Sequence, residues 1–216
     1  AGITGGRIIL ASAKGVDSKT LSLLKARPPS DIYVVGGTGA VSDPVVSQLQ
    51  KATGKTVERV SGKDRYETSE AVFETFFSDR TFDAPFVASG ADYPDALAAA
   101  AAGGALGRPV ILVQGKSGGG ALPGKVVELL ESKGVNSVVL VGGKGVITPA
   151  VASNIAAQGF VSERASGADR YQTSVAVNNY VSQRKPEVQV EGLWVASGKG
   201  FADALSATAA AGSASQ

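Results

Sequence analysis

The chain has 216 residues, 44% of them hydrophobic, and its 21 basic and 19 acidic side chains leave a net charge of +2. That is enough apolar material for ordinary cores, and too little net charge to draw the whole molecule onto nucleic acid or an anionic membrane. There is no Cys and no His, which removes disulfides, thiolate nucleophiles, imidazole bases and the usual zinc sites.

In chain order, short β-branched runs alternate with longer Ala/Leu/Val-rich amphipathic stretches, the pattern of βα units around a parallel sheet. Val57 to Val60 is a predicted strand leading into a helix over Arg65 to Phe77, and Phe86 to Ala88 leads into one over Tyr93 to Leu106. Val110 to Val113 leads into Lys125 to Lys133, and Val138 to Val141 into Pro149 to Gln158. Each strand-to-helix turn carries glycine: Ser61-Gly62, Ser89-Gly90, Gly115 with Gly118 to Gly120, and Gly142-Gly143 with Gly145. The expectation is a Rossmann-like, three-layer α/β fold with these turns along one sheet edge. The longest nearly apolar run, Ala96 to Ala105, falls far short of the ~18 residues that span a bilayer, so no membrane insertion is expected.

The chain also repeats itself. ERVSGKDRYETSEAV, from Glu58 to Val72, returns as ERASGADRYQTSVAV from Glu163 to Val177, with eleven of fifteen positions identical. Val87-Ala88-Ser89-Gly90 with Asp95-Ala96-Leu97 returns as Val195-Ala196-Ser197-Gly198 with Asp203-Ala204-Leu205, and Tyr33 to Gly37 returns as Val139 to Gly143. The period is about 106 residues, a tandem architecture. In phase with the ERxSGxDRY start, 1–56 reads as the back half of a repeat, 57–162 as a complete repeat and 163–216 as a front half. The halves are complementary, so they are expected to pair within the chain, or with a neighbour's, into a second module.

Together, R-x-S-G-x-D-R-Y-x-T-S, V-A-S-G-x-x-[YF]-x-D-A-L, R-P-V-I-L and V-V-G-G resemble the type-2 cell-wall-binding repeat of Gram-positive surface proteins. The resemblance covers essentially the whole chain. It implies a Toprim-like α/β module, without catalysis or cofactor, that anchors an extracellular protein at the cell wall to an anionic secondary glycopolymer and packs against neighbouring repeats. A structural surface-layer or filament subunit, and a nucleotide-binding α/β enzyme, are the alternatives. The family's proline-isoleucine-leucine-leucine stretch falls on Pro109-Val110-Ile111-Leu112, behind Arg108, and on Arg7-Ile8-Ile9-Leu10 in the first copy, where the proline is lost. Arg108 and Pro109 are therefore candidate ligand contacts.

The residues themselves leave two readings open. Asp64 and Asp169 stand at helix starts, where an Asp caps exposed amides and suits the positive dipole end. Arg65 and Arg170 place fixed positive charge beside free backbone donors, which suits a phosphate or carboxylate or, equally, a neighbouring Asp. Tyr66 and Tyr171 read as packing residues or as sugar contacts. Asp95 and Asp203 read as first-turn carboxylates. Ser89 and Ser197 sit at strand ends, but the G-x-S-x-G elbow and any His base are missing. Gly37-Thr38-Gly39 and Gly143-Lys144-Gly145 open like a dinucleotide fingerprint, yet Ser42 and Thr148 hold the third glycine position. No D-x-D pair occurs to collect a divalent metal.

Overall fold

A computed structural model describes residues 4–12, 15–116, 119–187 and 192–214. Gly118, expected in the turn after the Val110 strand, and the outermost residues of both half repeats lie outside them. The chain divides into two compact units, 9–75 and the remainder.

In the smaller unit, α1 (Ser18–Ala26) starts at Asp17, whose carboxylate accepts from the Thr20 amide at 3.0 Å. β1 (Ile32–Val35) pairs in parallel with β2 (Val57–Val60), with Ile32 opposite Val57. Between them α2 (Asp43–Thr53) starts with Pro44 in its first turn, where its missing N–H costs nothing, and stops at Gly54 in the left-handed region. Val34, Val45 and Leu49 are buried together with Val16. α3 (Arg65–Phe77) leads out of this unit.

The larger unit holds β3 (Phe86–Ser89), α4 (Pro94–Leu106), β4 (Val110–Val113), α5 (Gly124–Ser132), β5 (Ser137–Val141), α6 (Pro149–Ala157), β6 (Val161–Ala165), α7 (Arg170–Arg184) and α8 (Ala202–Ala214). Its four strands are all parallel, in the order β4-β3-β5-β6. Phe86, Ala88, Val139, Val141 and Ala165 cluster with Ala99 and Ala102 of α4 and Val177 and Tyr180 of α7. The alternate residues Val87, Ile111, Val113, Val138 and Leu140 point the other way on the pleat and are equally buried. Both faces of β3, β4 and β5 are therefore covered, which is why those strands read as continuous apolar runs, whereas β6 is exposed over its first three residues. Val126 and Leu130 of α5 and Val151 and Ile155 of α6 are also buried.

The predicted spans Arg65 to Phe77, Val57 to Val60 and Val110 to Val113 match the elements formed, and the other predicted elements differ by a residue at one or both ends. Sheet membership does not follow the motif boundaries. β2, which opens 57–162, bonds to β1 ahead of it, and β6, at the end of that span, bonds to β5. The ERxSG strand is thus the last strand of one sheet, and the helix after it leads to the next. The segments equivalent to β3 and β4 in the half repeats are not strands. Leu193, Trp194 and Val195 are 84%, 56% and 85% exposed, against 0% for Phe86 and Val87, and Ile8, Ile9 and Leu10 are exposed as well.

Candidate functional site

The motif that recurs most closely folds into a helix-start lock. Asp169 accepts from the Gln172 amide at 2.8 Å, and Asp64 from the amides of Tyr66 and Glu67 at 2.8 and 2.9 Å. In return Gln172 accepts from the Ala168 amide and Glu67 from that of Lys63, a capping-box exchange shifted by one residue. Thr173 and Thr68 accept from the amides of Gly167 and Gly62 at 3.2 and 3.0 Å. A Cβ on Gly167 would lie 2.2 Å from Cβ of Gln172, and one on Gly62 2.1 Å from Cβ of Glu67. The Gly, Asp, Glu/Gln and Thr of S-G-x-D-x-x-[EQ]-T each have a part in this turn.

Arg170 and Tyr171 face the next copy of the β3–α4 turn. Arg170 donates to the Gly198 carbonyl at 2.9 Å, lies 3.6 Å from the Asp92 carboxylate and stands over the Tyr93 ring. Tyr171 packs on Gly198, where an added Cβ would sit 2.6 Å from its ring. Tyr93 meets Phe201, its own counterpart one repeat on, edge to face, and donates to the Lys199 carbonyl at 3.0 Å. Behind them α4 and α8, the equivalent Ala-rich helices of successive repeats, pack together. Asp64, Arg65 and Tyr66 lie in the other unit, with Asp64 and Arg65 exposed.

At the carboxyl edge of the larger sheet, strand order reverses between β3 and β5, the place where open α/β sheets form crevices. Here the crevice is filled. Ser89 is 1% exposed and its hydroxyl accepts from the Ala91 amide. Gly115 lies against it, and the Gly115 carbonyl accepts from the Thr148 amide at 3.0 Å, tying the loop after β4 to the loop after β5. Asp95 is 9% exposed with its carboxylate against Cα of Gly142, and burial raises its pKa, opposed by Arg170 and aided by Asp92. On the outer side of the tied loops, Lys116 and Lys144 are exposed and have no ion-pair or hydrogen-bond partner among the described residues. Nor do those residues contain a cluster of three or more acidic metal ligands.

Arg108 lies at the opposite, amino edge. It is 6% exposed, pairs with Asp83 at 2.8 Å and donates to the Tyr180 hydroxyl at 2.9 Å. Pro109 is buried beside it, its carbonyl accepting from the Phe86 amide. The structure thus brings Arg170 and Tyr171 together with Asp92 and Tyr93, and sets Arg108 and Pro109 apart from them. Repeat-based reading missed Lys116, Tyr180 and Arg184. Tyr180 stands where the preceding copy has Thr75, and Arg184 where it has Asp79, so no recurrence marked either.

The profile of Cell wall binding domain 2 (CWB2) matches residues 59–152 and 164–216. The chain is 28% identical over 154 residues to the N-acetylmuramoyl-L-alanine amidase LytC of Bacillus subtilis, covering 71% of this chain and 28% of that protein. It is 36% identical over 86 residues to the amidase enhancer of the same organism, covering 40% of this chain and 12% of that one. Among solved structures it resembles Cwp8 from Clostridium difficile, with a TM-score of 0.77 and 25% identity over all of this chain and 36% of that one. It also resembles Cwp6 from the same organism, with a TM-score of 0.74 and 28% identity over 85% of this chain and 29% of that one. The chain therefore spans about a third or less of most of these relatives. With the matched profile reaching over most of its length, the chain belongs to the cell wall binding domain 2 family, and its place is the cell wall.

Proposed function

We propose that the chain is a non-catalytic module that holds a surface protein to an anionic glycopolymer of the wall. The observation that carries the polymer's charge is Lys116 and Lys144, two cations without a partner among the described residues, on loops fixed to each other at the carboxyl edge. The α5 and α6 helices open from those same loops, so their positive dipole ends add to the field. Arg65, on the exposed start of α3, is a further candidate contact. In this reading the four-stranded unit is a Rossmann-like, Toprim-like layer structure repeated with a period of about 106 residues.

Binding of the chain to isolated wall material at rising salt tests this. Affinity should fall steeply with salt, and Lys116→Ala with Lys144→Ala should weaken it at low salt by about tenfold, as for two charge contacts of ~0.7 kcal/mol each. Salt-independent binding would sink the anionic-polymer reading. A second reading, a structural filament subunit, is favoured by the exposed apolar segments at Ile8 to Leu10 and Leu193 to Val195. Head-to-tail completion of half repeats would give open assemblies. Light scattering separates the two: a mass fixed near 21.7 kDa with concentration opposes the filament, and continued growth supports it.

A further inference from the structure

A cavity of about 400 Å³ opens at the amino edge of the larger sheet, between the starts of β5 and β6 and the last turns of α7. A smaller one, about 240 Å³, lies along β6 and α7, and the two share Glu163 and Tyr180. Together they make a groove beside β6, a strand paired on one side only among the described residues. The volume of the larger part is in the range of small-molecule sites.

The chemistry of its walls is balanced. Arg108 is matched by Asp83 at 2.8 Å, and Arg184 by Glu163 at 2.7 Å. With each cation answered by an anion, no net field draws a charged group in. What the walls offer instead is both halves of the hydrogen bond, from the partly exposed Arg184 guanidinium, the exposed Asp83 and Glu163 carboxylates, and the Ser137 and Ser162 hydroxyls, which have no partner among the described residues. A sugar hydroxyl gives and takes one bond at once, so it fits such a set better than an anion does. Tyr180 is 5% exposed and is held between the guanidinium groups of Arg108 and Arg184, 5.9 and 4.8 Å from its ring centre. It serves to fix the two arginines, which reduces the ordering cost of binding, and does not offer a stacking face.

We infer that the β6–α7 groove binds a neutral, hydroxyl-rich stretch of a linear saccharide, one ring in the larger cavity and the chain continuing into the smaller. The inference rests on the wall-polymer reading for the source of the sugar, and adds an uncharged contact at the sheet edge opposite Lys116 and Lys144.

The test is an amide NMR titration of the whole chain with N-acetylglucosamine and with its disaccharide. The monosaccharide should move the amides of Ser137, Ser162 and Glu163. The disaccharide should extend the shifts to Ser166 and Gln183 and bind several-fold more tightly, with little dependence on salt. Ser162→Ala and Glu163→Gln, at exposed side chains that leave the core alone, should each weaken the disaccharide about fivefold, the worth of one hydrogen bond. The inference is overturned if neither sugar moves these amides, or if the shifts and affinity persist in both variants. Should salt-sensitive wall binding survive that result, only the groove is lost. If instead the sugars bind the groove while wall material does not bind the chain, the anchoring reading falls and the groove stands.

Discussion

Arg164 donates through Nη1 to the carbonyl oxygen of Gly142 at 2.6 Å, and Arg59 does the same to Gly36 at 2.7 Å one period earlier. Arg164 also reaches the Ile147 carbonyl at 3.1 Å, and burial lowers its pKa without threatening its charge. The arginine of ERxSG thus clamps the turn of V-V-G-G in the neighbouring strand. Removing it strands two carbonyl groups in a poorly hydrated place. Arg164→Ala should cost about 2–3 kcal/mol, the scale for charged hydrogen bonds lost from a partly buried site. A lower urea midpoint at unchanged slope would register the loss.

Asp95 should make stability fall as pH rises. Its folded-state pKa is raised above the ordinary 3.8, chiefly by burial. The folded state therefore holds the proton more tightly than the unfolded one. The stabilising effect is complete below pH 3.8 and is lost as pH climbs through the folded value. Asp95→Asn keeps the shape without the charge, so it should be at least as stable as the parent at neutral pH and flatten the dependence above 3.8. Thermal midpoints of both proteins across the acid range would check this.

Glycines in the same loop should differ sharply in tolerance. At Gly142 φ is +112°, and an added Cβ would lie 2.4 Å from the Asp95 carboxylate. At Gly145 nothing lies within 4 Å and φ is not in the left-handed region. Gly142→Ala should destabilise by more than about 2 kcal/mol, and Gly145→Ala by less than about 0.5. Equal midpoints for the two variants would contradict the geometry.

Arg170→Ala should loosen the turn of the following copy. Its lost partners are the Gly198 carbonyl and the half-exposed Asp92. Exposed ion pairs contribute little, so global stability should fall by no more than about 1 kcal/mol. Hydrogen exchange should quicken locally at Lys199 to Leu205. A wall-binding loss with unaltered exchange there would return Arg170 to the ligand.

Much of the fold was legible because β3, β4 and β5 are buried on both faces and α1, α3, α6 and α7 start at marked caps. The Arg65 to Phe77 span could be read to the residue since Asp64, Glu67 and Thr68 all bond backbone at its start. Recurrence of the letters does not carry the strand over to Val195. That stretch has the letters of β3, but β3 is a central strand, flanked by β4 and β5, and a central strand has no form apart from its neighbours. The site was less legible still. Recurrence pointed to Asp169, Arg170 and Tyr171; Asp169 caps a helix, and Arg170 and Tyr171 contact the next turn. The proposed groove is lined by Tyr180 and Arg184, which occur once and come together with Arg108 only when α7 is laid across the sheet.

The offset between motif and sheet has a genetic corollary. Because β2 closes the sheet behind it and β6 does likewise, any stretch one period long is a cyclic shift of the same folding instructions. A cut inside a motif or between motifs then leaves a sheet such as β4-β3-β5-β6 whole so long as it falls outside those four strands. Copy number can drift without a breakpoint tied to the motif, and only the two extremities feel where the cut fell.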